Sequence, residues 1–425
     1  MTEHVLIVGG GREIPGLIRD AGGPDVVTTV LCRMDFVPKI RKPGQHDRVL
    51  ALRSDAPDAE WIALATAVHE RQPFTRVGTF GERDQDRAAA VAAALGLPCH
   101  SPQTIAYVHD KDAMRRRLAE LGVDETPGGR VADVAELRAF LAQHGTPCVV
   151  KPVQGAGSFG VSVVRSADEA EEAFARAAAD FDIIPDAGVL VERFHEGPQF
   201  SVEAFSEHGE HEILAVTRKF SDPVGFVELG HVVPAELSPE QTDAVHAYVR
   251  RLLDALDIAY GVTHTEVVLT AAGPRVIETH VRLAGDEIPY LVHDVTGVDL
   301  VDCVVRQTLG QPVLADIRKT LADPSVDRSP EAIWFAVPQA RGTLARIGGL
   351  DEAASRPGVV AAEALLGPGD VLGDLDSSES RAAFVRARGA DAAEAVERAR
   401  QAVAALEFEV TVSGDGAAGG AGDWI

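Results

Sequence analysis

The sequence predicts a chain of α/β and α+β class, with a parallel-sheet domain first and hairpin-rich units after it. Three observations carry this. Short apolar strands alternate with helical stretches from residue 4 to about 100, the pattern of a parallel sheet covered by helices. From 148 onward strand-like runs follow one another with short loops, which suits antiparallel pairing. At 425 residues the chain exceeds what one core usually supports, so about two to four compact units are expected.

Taken in order, VLIVGGG at 5–11 opens with a strand, VVTTVL at 26–31 is a second and RVL at 48–50 a third. AEWIALATAVHER at 59–71 is helical, TRVGTFGE at 75–82 contains the fourth strand, and an alanine-rich helix covers 85–96. Gly9-Gly10-Gly11 lies at the carboxyl end of the first strand, where open α/β sheets receive ligands. It lacks the spaced G-x-G-x-x-G of dinucleotide sites, which leaves a small-substrate turn or a structural turn. Residues 101–147 read as mostly helical, with HDKDAMRRRLAELG at 109–122 placing Lys111 near a helix start, where a cation opposes the dipole. VLVERF at 189–194, FSVEAF at 200–205 and ILAVTRKF at 213–220 read as strands, followed by a helix at 241–256. After about 315 a smaller unit of strands ends in a helix near 392–405 and the strand EFEVTV, and SGDGAAGGAGDW is too poor in apolar groups to order itself.

Composition excludes several classes. A formal charge of −25 argues against a general nucleic-acid surface, so any polyanion site must be local. The four cysteines, Cys32, Cys99, Cys148 and Cys303, show no metal or redox spacing and suit a reducing compartment. The opening apolar run has no basic region before it and reads as a strand, and no apolar stretch reaches the ~18 residues of a membrane span. The cytoplasm is the expected location.

Two motifs carry chemistry. CVVKPVQGAGSFGVSVV, Cys148 to Val164, is a hairpin-like pair of apolar runs joined by a glycine loop. Lys151 precedes Gly155, Gly157 and Gly160, the reverse of the usual phosphate loop, so a nucleotide-binding loop and an ordinary glycine turn both stay open. GVTHTEVVLTAAGPRVIETHVRLAGDE at 261–287 reads as a hairpin with Glu278, His280 and Arg282 on one face. A three-residue loop at Ala272–Pro274 is expected to set Glu266 opposite His280 and diagonal to Glu278, whereas a two- or four-residue loop would turn Glu266 away. Paired inward carboxylates need something positive between them, which Arg282 could supply in part and for which Mg²⁺, suited to hard oxygen ligands, is the other candidate; a solvent-facing charged strand is the alternative. Glu192 and Glu203 sit in strand-like runs as readily exposed glutamates, and His231 is either a satisfied structural histidine or a base.

In order along the chain, Lys111, Lys151 with its glycine loop, Glu192, Glu266, Glu278 and Arg282 resemble the ATP-grasp carboxylate–amine ligase superfamily, and RKFSDPVGFVELGHVVPA points to its L-amino acid ligase branch. The resemblance runs from residue 1 to about 410. It implies an ATP-grasp fold: an N-terminal parallel-sheet domain over 1–102, an ATP-grasp domain over 103–315 with a lid subdomain at about 140–191 around a central catalytic part, a C-terminal closing domain at 316–410 and a flexible tail at 411–425. By resemblance, Lys111 and Lys151 meet the nucleotide phosphates under the lid loop of Gly155, Gly157 and Ser158, while Glu192 and the backbone around Phe194 and His195 hold adenine. Gln199 stands where many members carry a ribose-binding glutamate. Glu266 and Glu278 resemble the two Mg²⁺ carboxylates, and His280 replaces the family's asparagine as a third ligand or faces substrate. Arg282 would steady the acyl phosphate, Gly285 and Asp286 border the acceptor pocket, and His231 would accept a proton.

The implied cofactors are ATP and Mg²⁺, with Mn²⁺ as a substitute. The implied partners are small carboxylate and amine substrates, with neither nucleic acid nor membrane, and a homodimer as the assembly if the chain self-associates. The rival readings are an ATP-grasp carboxylase or another ligase acting on a non-amino-acid metabolite, a dehydrogenase using Gly9–Gly11, and a catalytically silent binding protein.

Overall fold

The first apolar run forms β1 (Glu3–Val8), which lies between β2 (Val26–Arg33) and β4 (Arg76–Gly78), with β3 (Arg48–Leu52) beyond β2. All of these pairings are parallel. Successive residues of β1 point to opposite sides of the sheet. Val5 and Ile7 accordingly enter one core with the helix Ile14–Gly22, and Leu6 and Val8 enter another with Trp61, Ala88 and Val91. Both faces are thus buried, which is why the strands read as continuous apolar runs. The structure, a computed structural model, describes residues 3–11, 13–155, 157, 159–179, 188–223, 225–375 and 377–411. Ser158 and, apart from Thr411, the expected tail lie outside the described residues.

The glycines after β1 serve close packing. A side chain on Gly9, whose φ is +84°, would come within 2.6 Å of the Asp84 carboxylate, and one on Gly10 would meet the Phe36 ring at 2.4 Å. This packing supports the structural-turn alternative.

A second sheet contains β5 (Gly128–Val131), β6 (Cys148–Pro152), β7 (Ser162–Val164) and β8 (Val189–Arg193), in the order β5-β8-β6-β7 and antiparallel throughout. β5 falls within the stretch expected to be mostly helical. Its four residues, GGRV, carry no strand signal of their own, and pairing with β8 imposes the conformation. The lid sheet consequently spans 128–193 and not 140–191. Its core, with Val131, Leu137, Val150, Val164 and Val191, is built from its own residues.

The third sheet joins β9 (Gln199–Glu207), β10 (Glu210–Ser221), β11 (Glu228–Val233), β12 (Tyr260–Thr270) and β13 (Gly273–His280) to strands from the end of the chain. Those later strands are β14 (Glu331–Ala336), β15 (Gly342–Gly348), β16 (Val359–Ala364), β17 (Val371–Leu372), β18 (Ala383–Arg388) and β19 (Glu407–Thr411). β14, β18 and β16 extend the third sheet into eight strands ordered β13-β12-β9-β10-β11-β14-β18-β16, and only β15, β17 and β19 form a sheet of their own. The division placed at 315–316 therefore cuts no sheet boundary. One core also crosses the other expected boundary, near 102, because Val5 and Ile7 of β1 pack in one cluster with Phe205, Val262, Leu291, Val304 and Phe335.

The β12–β13 turn has two residues, Ala271 and Ala272, since Thr270 pairs with Gly273. The register slips between Glu266 and Val267, because Val267 faces Val276 and Glu266 faces Glu278, so Ile277 is an extra residue. This corrects the expected geometry: a two-residue loop does not turn Glu266 away, because a β-bulge restores its face. Glu266 stands opposite Glu278 and His264 opposite His280.

Phe205 is fully buried in the shared core. Replacing it with alanine is expected to cost about 3–5 kcal/mol and to lower the urea midpoint for the N-terminal sheet and the third sheet together, followed by tryptophan fluorescence and circular dichroism. Two separate transitions, with only one displaced, would show that the two regions do not share their core.

Candidate active site

The bulge decides what one face of the large sheet presents. Glu278 pairs with Glu266, and Glu266 pairs with Ser201 of β9; His280 pairs with His264, and His264 with Glu203. Lys219 of β10 lies opposite His231 of β11 on that same face. Thr265 and Thr279 point the other way and hydrogen-bond to each other at 2.8 Å. A stripe of ionisable side chains therefore crosses five strands and forms the floor of a cavity of about 280 Å³.

Carboxylates largely withdrawn from water require counter-charge, and both members of the facing pair have it. Glu278 holds Lys111 Nζ at 2.9 Å through Oε2 and His280 Nε2 at 3.2 Å through Oε1. Asp110 caps the helix Lys111–Glu120, accepting from the backbone of Asp112 and Ala113, and so fixes where Lys111 begins. Lys111 also donates to the Gly155 carbonyl of the glycine loop at 3.0 Å. Glu266 holds Lys219 Nζ at 2.5 Å and His264 Nε2 at 3.4 Å, while Lys219 reaches Glu228 at 3.1 Å. Burial alone would raise both carboxyls, yet Lys219 and His264 bring Glu266 down to about 2, and Lys111 and His280 hold Glu278 well below the usual carboxylate range. Both are ionised at neutral pH.

The lid side is balanced differently. Glu192 takes Lys151 Nζ at 2.5 Å and Arg115 Nε at 2.8 Å, and Arg115 also reaches Asp124 at 3.9 Å. Burial, with Arg115 and Lys111 near by, lowers the Lys151 ammonium below its ordinary value against the pull of Glu192.

Glu82, from the loop after β4, bridges into the site: its carboxylate accepts from His280 Nδ1 at 3.1 Å and Arg282 Nε at 2.7 Å. Arg282 also donates to the Leu283 carbonyl at 3.0 Å. Farther along, Asp286 accepts from both terminal nitrogens of Arg381 and from His231 Nε2.

Every described residue expected at the site borders this one cavity: Lys111, Lys151, Gly155, Gly157, Glu192, Phe194, Gln199, His231, Glu266, Glu278, His280, Arg282, Gly285 and Asp286. Three of them are tied to charged neighbours. His280 meets carboxylates through both ring nitrogens, bridging Glu278 and Glu82. Glu192, 3% exposed, holds Lys151 and Arg115. His231, 1% exposed, meets Asp286 through Nε2, and its Nδ1 is buried without a partner. Glu203 is also buried, paired with His264 at 2.8 Å, where the sequence suggested an exposed glutamate.

Glu82, Arg115, Lys219, His264 and Arg381 escaped sequence reasoning. Arg115 carried a signal, since it stands one helical turn after Lys111 and shares its face. Lys219, the one lysine of the apolar strand ILAVTRKF, carried another.

The donor set fits a hard cation in part. Glu266 and Glu278 are ionised and side by side, and two carboxylates are what Mg²⁺ commonly takes from a protein when phosphates complete its shell. Among the described residues no group of three or more His, Cys, Asp or Glu side chains converges as a self-sufficient metal cage. No helix among them is long and apolar enough to cross a membrane.

Residues 144–289 match the family described as the ATP-grasp domain, and residues 334–411 match the L-amino acid ligase C-terminal domain 2. The chain is 30% identical to an uncharacterized protein, y4rH, of Sinorhizobium fredii over 77% of its own length and 68% of that protein. It is 26% identical to an alanine–anticapsin ligase of Bacillus subtilis over 57% of its own length, spanning 56% of that enzyme. The crystal structure of an L-amino acid ligase from Bacillus licheniformis superposes with a TM-score of 0.77 at 23% identity, covering 96% of this chain and 99% of that one.

The stripe makes stability depend on pH. Burial would lower His264, but Glu203 and Glu266 raise it to about 9 from 6.5. A folded-state value above the unfolded one gives stability that is full below about pH 6.5 and is lost as pH rises through about 9, by up to about 3 kcal/mol. In chelator, the urea midpoint of the wild type should fall across that window and that of His264→Gln should stay flatter. Equal slopes for the two proteins would remove His264 as the cause.

Proposed function

The chain belongs to the ATP-grasp superfamily, close to its L-amino acid ligases, and from that premise we propose that it is an ATP-dependent carboxylate–amine ligase. It activates the carboxylate of an amino acid or related small acid as an acyl phosphate and joins it to an amine, giving an amide or dipeptide with ADP and phosphate. One observation carries this reading. Lys111, Lys151 and the facing pair Glu266 and Glu278 border a single cavity.

The roles follow from the contacts. Lys151, at the wall of the cavity beside the glycine loop, takes nucleotide phosphate. Lys111, bound to Glu278 and to the Gly155 carbonyl, turns to the phosphates once Glu278 has another cation. Glu266 and Glu278 hold Mg²⁺, which when bound neutralises charge on the transferring phosphoryl group. Phe194 and Gln199, which line the same cavity, take the nucleoside.

In the first step an oxygen of the substrate carboxylate attacks the γ-phosphorus, the bond from that phosphorus to the bridging oxygen breaks, and ADP leaves. In the second the amine lone pair attacks the acyl carbon, the carbon–oxygen bond to phosphate breaks, phosphate departs and the nitrogen loses its extra proton to water. Arg282, steadied by Glu82 and the Leu283 carbonyl, faces the charge that develops on the acyl phosphate and the tetrahedral intermediate. Gly155 and Gly157 stand over this position, where exclusion of water protects a hydrolysable intermediate.

Likeness to an alanine–anticapsin ligase and an L-amino acid ligase supports amino acids as substrates. The net charge of −25 supports the absence of a nucleic-acid partner, and four cysteines without disulfides support a reducing, cytoplasmic setting.

Amino acid pairs screened for ATP-dependent phosphate release, with mass detection of the product, should reveal an amide; phosphate release with bicarbonate in place of an amine would favour a carboxylase. Glu278→Gln should lower turnover about 100-fold or more, whereas Cys32→Ala, in the N-terminal core, should change it less than about twofold. Comparable losses in both variants would detach the carboxylate pair from the chemistry.

A further inference from the structure

The turn bordering the acceptor side of the cavity has an unusual backbone. Asp286 and Glu287, neither of them glycine, are consecutive residues with φ of +56° and +61°. The left-handed region disfavours side chains, and such residues persist where the surroundings over-determine them. After them the Ile288 amide donates to the Gly285 carbonyl at 3.1 Å and the helix Ile288–Thr296 begins.

The surroundings that hold this turn come from the far end of the chain. Arg381, just before β18, places its guanidinium flat against the Asp286 carboxylate, with Nη1 to Oδ2 at 2.8 Å and Nη2 to Oδ1 at 2.6 Å. Its Nε donates to the Ser378 carbonyl at 2.8 Å, and its guanidinium carbon sits 3.9 Å from the centre of the Phe335 ring. His231 Nε2 meets the same carboxylate at 3.0 Å. Arg381 is 6% exposed, so this is a buried, two-pronged pair whose geometry a lysine does not reproduce. Burial would raise the Asp286 carboxyl, and His231 and Arg381 instead hold it far below the carboxylate range.

We propose that Arg381 is a positioning residue that clamps Asp286 and thereby fixes the Gly285–Glu287 turn, so that the C-terminal third of the chain completes the acceptor side of the site. Asp286 spends both oxygens on protein donors and does not bind the substrate ammonium; the backbone it holds in place borders the incoming amine. This assignment rests on the ligase reading for its kinetic consequence and on geometry alone for its structural one.

The two consequences are tested separately. In substrate-free protein, Arg381→Met should speed amide hydrogen exchange in peptides covering 284–290 by about tenfold while distant peptides change little. In turnover with an amide-forming pair, Arg381→Met should raise KM for the amine about tenfold to a hundredfold, with KM for ATP within about twofold. Arg381→Lys should recover part of that loss, and Asp286→Asn combined with Arg381→Met should be no worse than the single changes, as expected of one coupled unit. Unchanged exchange in 284–290, an equal rise in KM for ATP, or additive effects of the two substitutions would each overturn the assignment. If no pair yields an amide even with wild-type protein, the ligase reading fails, and the exchange measurement still decides the clamp.

Discussion

Two carboxylates facing each other on adjacent strands repel, and desolvation makes that repulsion worse. The arrangement of Glu266 and Glu278 is the constraint from which the rest of the site follows. Lys111, Lys219, His264 and His280 are distributed around the pair so that each oxygen in contact has a positive neighbour. These cations in turn need their own anions, which Glu82, Glu203 and Glu228 supply. The charge network can thus be traced outward from one cross-strand contact. In such a network a divalent ion and a polyphosphate enter together more easily than either alone, because each supplies the charge that the other displaces.

Much of this was legible in the sequence, because the signals were local. Strand and helix periodicity located most elements, and the order of the lysines and glutamates located the cavity. What stayed hidden was set by distant pairing. The extra residue Ile277 has no signature in VIETH, yet it determines which face Glu278 presents. GGRV became a strand through its partner β8, and β14, β18 and β16 joined a sheet begun more than a hundred residues earlier, which no window of the sequence records. The approach of Glu82 to His280 from 198 residues away has no local signature, and neither do the cations of Glu192, which come from a helix and from a neighbouring strand.

The site is assembled from three parts of the chain whose contributions differ in kind. The lid sheet brings Lys151 and the glycine loop on a core of its own. The large sheet brings the carboxylates and their histidines on strands held from both sides. The N-terminal sheet brings Glu82, and its shared core with the large sheet keeps that carboxylate at a fixed distance from Arg282. Rigid pieces therefore carry the groups that must hold substrate geometry, and the piece with an independent core carries the groups that must cover it.

The pairing of β11 with β14 bears on how such a protein can be recombined with its relatives. His231 is hydrogen-bonded in register with Ile333, and the Gly230 Cα lies so close to Trp334 that an added methyl group would come within 2.4 Å of the indole. A chimera joined between 315 and 331 would exchange half of a continuous ladder, and the donor segment would have to match both the register and the shape of that indole. Crossovers at 128 and 193, which transplant the lid sheet with its entire core, leave every ladder intact, so the cover can be exchanged without rebuilding the large sheet, whereas the carboxyl-terminal wall cannot.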